Sequence, residues 1–159
     1  MLDKERTRGD SNVVAALNNV YKPALTAFEQ FHRQEHRLNK RYRYKKFAKR
    51  YDKLVDHAHH VRHKVLNRVE HLGGDVDSVL DPIRVADDMQ TVHENTLACL
   101  KEIQGRLGQA TAVATSANDH TTHAMLLGLQ KKNEKAIKKV EALERQREDL
   151  GNDFMLTGV

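Results

Sequence analysis

An all-α fold, an antiparallel bundle of four long helices, is what this sequence predicts, on three observations. Apolar side chains recur every three or four residues in four separate stretches. Only 8 Gly and 2 Pro punctuate 159 residues, which leaves few turns for a strand-rich fold. Charged residues make up 31%, enough to coat the outer faces of four helices. The length is that of one domain with a real core. The boundaries expected are a tail over 1–10, the bundle over 11–150 and a second tail over 151–159.

The first stripe passes through Leu17, Val20 or Tyr21, Ala24, Ala27 or Phe28, Phe31 and Leu38, with Asp10 or Ser11 suited to cap its start. Pro23 falls inside it, so the helix either bends there or becomes well formed only from that point. The second stripe runs Phe47, Tyr51, Leu54, Ala58, Val61, Val65, Val69 and Leu72, and Gly73-Gly74 closes it with a C-terminal cap. A third helix is expected from about Asp81-Pro82 to Gly108, with Met89, Val92, Thr96, Cys99 and Ile103 inward and Pro82 in the first turn. The fourth is expected from about Asn118 to Leu150, with Leu126, Leu129, Asn133, Ala136, Val140 and Leu143 inward. Between them GQATAVATSAND, residues 108–119, reads as either a loop or a weakly helical joint. Four one-striped helices bury their apolar faces most simply against each other.

The single cysteine, Cys99, excludes an internal disulfide and a cysteine-based zinc site, and suits a reducing compartment such as the cytoplasm. The start, MLDKERTRGDSN, is charged, and no apolar run approaches membrane-spanning length. Formal charge is +5, unevenly spread: RLNKRYRYKKFAKR at 37–50 holds eight Lys or Arg and no acid, whereas 75–88 holds five Asp and one Arg. The basic stretch carries Arg37, Lys40, Arg41, Arg43, Lys45, Lys46, Lys49 and Arg50 with Tyr42, Tyr44 and Phe47 between them. That pattern suits phosphate neutralisation and base stacking on DNA, and equally a solvated helix face with Phe47 and Tyr51 turned to the core.

Four of the ten histidines fall in DHAHHVRH, residues 56–63. Imidazole titrates near neutral pH and, when neutral, ligates transition metals. His32 and His36, and likewise His59 and His63, stand one turn apart on their helices, so each pair shares a face. His57 and His60, off the apolar stripe, read as solvated. His71, His93, His120 and His123 carry no ligand pattern.

Two stretches resemble the mini-ferritins of the Dps type. One is QEH at 34–36, followed without gaps by Asp52 and by NRVEHLGG at 67–74; the other is HAMLLGLQKKNEKAIKKVEAL at 123–143. Bacterioferritin resembles the first two helices nearly as closely. The resemblance implies a ferritin-like bundle, a closed homo-oligomeric cage of twelve copies, and iron storage or detoxification through oxidation by peroxide or oxygen. In most of the superfamily two metals sit in the bundle centre on carboxylates and Glu-x-x-His pairs. The matching positions here are Ala24, Ala58, Val61, Asn133 and Ala136, so that site is expected to be absent.

Mini-ferritins instead build a site between subunits, and their ligand pattern falls on His36, Ala48, Asp52, His63 and Asn67. The resemblance therefore implies His36, Asp52 and His63 as metal ligands, with His32 and His59 as further donors. Ala48 and Asn67 depart from the pattern and put the oxidation step in doubt. Fewer carboxylates and more imidazoles shift preference from iron towards zinc, copper or nickel. Bacterioferritin holds haem between subunits on a second-helix Met, and counting back from the Leu-Gly-Gly end places His59 there, which makes haem a third, lesser alternative. A non-catalytic cage that binds DNA through residues 37–50 is the second.

Overall fold

The computed structural model describes residues 10–41 and 45–157, and side chains over 10–41 and 47–149. Four helices follow one another: α1 Ser11–Asn39, α2 Lys45–His71, α3 Met89–Ser116 and α4 His120–Thr157. α1 packs on α2 and α3, and α4 packs on α3 and α2, so each helix has two neighbours. Every packed pair runs in opposite directions, because α1 and α2 form one hairpin, α3 and α4 another, and a long crossover joins them. The stripes meet in one core, in which Leu17, Val20, Phe31, Val61, Val65, Leu100, Ile103, Leu107 and Leu126 are fully buried.

Local chemistry sets the helix ends. Asp10 Oδ1 accepts from Asn12 N at 2.7 Å and caps α1, which then runs through Pro23 without a break. The proline withholds the N–H that Asn19's carbonyl would use, and tertiary packing of a fully buried face outweighs that loss. At the end of α2, Gly73 adopts φ 82°, Gly73 N donates to Glu70 O at 3.0 Å, and Gly74 N donates to Val69 O at 2.9 Å. This pair of bonds is the glycine-dependent Schellman cap. A Cβ at Gly74 would stand 2.7 Å from Val14 Cγ1, so the chain also needs glycine there to press against α1.

The crossover corrects the expected start of the third helix. Residues 74–86 are not helical; α3 begins at Met89, where Asp88 Oδ1 accepts from Thr91 N at 2.9 Å. Pro82 lies in the crossover instead of a first turn. The reason is reach. On α1, Asn18 and Gln34 are separated by about 24 Å of helix rise, whereas residues 75–86 coiled as helix would cover only about 16 Å. Extended chain covers the distance.

Side chains of α1 then supply the bonds that a helix would have made for itself. Asn18 Nδ2 donates to Asp75 O at 3.0 Å, Thr26 Oγ1 accepts from Asp81 N at 3.0 Å, and Gln30 Oε1 accepts from Arg84 N at 2.9 Å. Gln34 bonds both backbone groups of Ala86, each at 2.9 Å. Lys22 and Arg37 add ion pairs to Asp81 and Asp87 at 3.4 and 3.5 Å. Gln34→Ala therefore strips two backbone partners at once. We expect it to lower unfolding free energy by about 1–3 kcal/mol and to speed amide exchange around Ala86 before the rest of the bundle.

Three smaller differences concern α3 and α4. The segment 108–119 continues α3 to Ser116, with only a tight turn before α4, in which Asn118 takes φ 55°. Small residues in this stretch line a close packing face: Ala110 and Ala114 are buried. In α3 the core position is Leu100; Cys99 is only half-buried, beside Gln30 under the crossover. α4 continues to Thr157 in place of ending near Leu150, since Gly151 alone costs a helix only about 1 kcal/mol and no proline follows it.

Candidate metal centre

The bundle centre is sealed. Ala24, Ala58 and Val61 are fully buried and Ala136 nearly so, which leaves Asn133 as the one polar side chain among these five positions. Its Nδ2 donates to Leu100 O and to Gln104 Oε1, both at 2.8 Å, and its Oδ1 faces His57 Nε2 at 2.9 Å. Because the amide nitrogen is already a double donor, the oxygen must accept, and His57 Nε2 carries the proton. A neutral amide plug with every hydrogen bond answered replaces the carboxylates of a dinuclear centre.

His57 is thus a correction to its reading as a solvated residue. It is half-buried and bonded to the core amide. Burial lowers its pKa, the bond to Asn133 opposes that, and Lys132 lowers it further. His60 is lowered as well, by burial first and then by Lys132, whose ammonium donates to His60 Nε2 at 3.0 Å. A histidine whose folded pKa lies below its unfolded value of about 6.5 contributes stability that is complete above that pH and lost as pH falls below it. Chemical denaturation at pH 7 and at pH 5.5 should show the protein weaker at the lower pH, and His57→Gln should flatten that slope.

The residues implied as ligands lie on the outward face of the α1–α2 hairpin, in two groups. At the end nearer the α1–α2 connection, Asp52 stands beside Glu35 of the QEH motif, with His32 and His36 close enough to act on Glu35 electrostatically. Burial raises the Glu35 pKa, the neighbouring Asp52 raises it further, and the two histidines oppose this. Glu35 Oε1 also accepts from Asn39 Nδ2 at 2.6 Å. Further down, His59 and His63 stack with ring centres 5.8 Å apart, and Phe28 lies 5.5 Å from His59 and 6.3 Å from His32.

Asp52 and His63 are eleven residues apart on one helix, a rise of about 16 Å, so one chain cannot close both on a single ion. Accordingly, no cluster of three or more His, Cys, Asp or Glu able to hold a metal exists within the chain, among the described residues. Of the two departures from the ligand pattern, Ala48 is wholly buried in the core and Asn67 is exposed.

Arg62 belongs to the second group. Its guanidinium lies 5.1 Å over the Phe28 ring and donates to His59 Nδ1 at 3.0 Å. Guanidinium can only donate, so His59 holds its proton on Nε2, and ligation through that nitrogen, to haem iron or to any other metal, requires the tautomer to change and Arg62 to let go. Arg62 Nε is buried without an acceptor among the described residues. Cys99 offers nothing here, since burial pushes its thiol up to about 11 and a thiol ligates poorly until it ionises.

In the basic stretch, Arg37 and Arg41 share Asp87 at 3.5 and 3.4 Å, while Lys40, Lys49 and Arg50 are exposed. Tyr42, Arg43 and Tyr44 lie outside the described residues, as do the side chains of Lys45 and Lys46. Phe47 and Tyr51 are in the core, the latter edge-on to Phe31 and bonded to Thr96 Oγ1 at 2.7 Å.

Two hairpins joined by one long crossover define the ferritin-like class of four-helix bundle. The family model described as ferritin-like domain matches residues 14–148, and the chain belongs to that family. Among solved structures it is similar to a bacterioferritin from Rhodobacter capsulatus, with TM-score 0.86 and 22% identity over 94% of each chain. That protein is described with a metal-free dinuclear site and a haem iron. No curated protein matches the chain. Among the described residues no helix is long and apolar enough to cross a membrane.

Proposed function

We propose that this ferritin-family chain assembles into a closed cage, twelve copies in the mini-ferritin manner, and binds iron or a related divalent metal at sites shared between neighbouring copies. His36 and Asp52 of one copy and His63 of a second are the ligands, with Glu35, His32 and His59 as further donors. Storage and detoxification of iron is the function this supports. The observation that carries the reading is the division of the donors: carboxylates and imidazoles at one level of the hairpin, and the imidazoles of His59 and His63 about 10–16 Å further along it. Two copies packed antiparallel, face to face, bring the two levels together, which is the self-complementary arrangement of a two-fold interface.

Ferrous iron is the substrate. Asp52 supplies the anionic charge that draws it in, and the imidazoles fix its geometry; each ion then gives one electron, so two ions reduce one peroxide to water. With Ala48 and Asn67 in place of ligands, the site holds iron loosely and oxidation is slowed. The test is to load the protein with ferrous iron without oxygen, add peroxide and follow ferric absorbance. A rate above the buffer blank that disappears in His36→Ala supports the oxidation step, and a rate equal to the blank removes it. Binding is measured separately, by zinc or cobalt titration without oxidant.

A further inference from the structure

Away from the α1–α2 face, a groove of about 470 Å³ opens along the seam between α2 and α4. Its rims are cationic: Arg50 and Lys53 from α2, and Lys132, Lys135 and Lys139 from α4, all exposed. Its floor is apolar, with Leu54, Ala136 and Val140 buried and Leu143 half-buried. His57 is also in the lining.

The spacing follows from the sequence. On α2, positions 50, 53 and 57 lie on one face, and on α4 so do 132, 135 and 139, so each helix contributes one rail at the intervals that stack side chains above each other. No carboxylate lines the groove, and none of the five cations has an ion pair among the described residues. Lys49, Lys64, Lys101, Lys131 and Lys138 are likewise without an ion pair among the described residues, but they do not converge on one apolar groove. Lys22, Arg33, Arg37, Arg41, Arg68 and Arg106 each have an acid within 4.0 Å. Five like charges along one seam repel each other, and an anion that enters between them relieves that repulsion.

We propose that the α2–α4 groove is a binding site for a small amphiphilic anion, a carboxylate carried on an unbranched apolar chain. The carboxylate sits between the lysine rails and the chain covers the floor of Leu54, Ala136, Val140 and Leu143. A bare inorganic anion leaves that floor wet. A nucleic acid backbone meets the rails but has nothing to lay on the apolar strip, so charge and floor together select an amphiphile. The volume lies within the range of small-molecule sites. Nothing in this proposal depends on the metal reading, since the two faces share none of the residues named as ligands.

Decanoate is the probe, titrated into the assembled full-length protein by calorimetry with His57 ring signals followed by NMR. Saturable binding is expected, with the His57 ring signals shifted because that side chain lies in the groove lining. Affinity should rise by about fourfold for each methylene from hexanoate to decanoate. Acetate and 1-decanol should each bind at least tenfold more weakly, and decyl phosphate reports whether the rails accept a phosphate head as well as a carboxylate. Lys135→Ala with Lys139→Ala, both at exposed positions, should cost decanoate at least tenfold and leave decanol unchanged. The proposal is overturned if decanol or acetate matches decanoate, if decanoate binds with His57 unmoved, or if a short DNA duplex displaces it at equal charge, which would assign the groove to polyanions.

Discussion

A chain carrying Asp52→Ala and His63→Ala will bind zinc or ferrous iron at least about 100-fold more weakly than the parent, with its helical content and assembled mass unchanged. The magnitude follows from what lesser changes do: removal of a residue that merely supports a ligand costs metal affinity about 10–100-fold, so the loss of two ligands exceeds that. The selectivity follows from position. Both side chains are exposed in the single chain, away from the core stripe, and substitutions of that kind leave stability within about 0.5 kcal/mol. Calorimetric titration beside circular dichroism checks both halves. Unchanged affinity in the double variant would move the metal elsewhere on the surface.

Asn133→Asp should be the most damaging single change in the molecule for its size. The parent amide nitrogen donates to Leu100 O and Gln104 Oε1, and the side chain is wholly buried. A carboxylate there keeps His57 as a donor to one oxygen but turns the other towards two acceptor oxygens inside the bundle, a loss of about 3 kcal/mol at neutral pH. The new carboxyl has a folded pKa raised above its unfolded value of about 3.9, so it keeps its proton longer in the native state. The deficit relative to the parent should therefore shrink as pH falls towards 4 and grow as pH rises above it. Urea unfolding of the two proteins at pH 4 and pH 7 measures this. A constant deficit would mean that the amide's shape matters and its donors do not.

The helices were legible where periodicity is strong and the ends carry their own chemistry. The α2 stripe from Phe47 to Leu72 is buried at every expected position, and Gly73-Gly74 ends the helix as its residues demand. What the sequence concealed were contacts between distant segments. Residues 81–88 read as a helix start because Pro82 suits a first turn, yet their backbone is satisfied by Gln30, Thr26 and Gln34, more than fifty positions away. His57 read as solvated because its partner, Asn133, belongs to another helix. Cys99 and Leu100 exchanged roles for the same reason, since a one-residue rotation of the stripe is invisible until α1 and α4 are in place.

Of the metal centre, the shared faces of His32 with His36 and of His59 with His63 were readable from one-turn spacing, whereas the choice of His36, Asp52 and His63 as a set came from the family likeness. Glu35 was passed over, although it sits inside the quoted QEH motif. Its signal is the carboxylate neighbour it meets only when α1 and α2 form a hairpin.

The claim that one ion is held by two copies has a direct measurement. Asp52→Ala and His63→Ala chains, each unable to bind metal alone, are unfolded together, reassembled as a mixture and titrated with zinc. Sites shared across a two-fold interface draw Asp52 from one copy and His63 from its neighbour, so random mixing restores about a quarter of the parent's capacity. A mixture as inert as its two components would contradict a shared site.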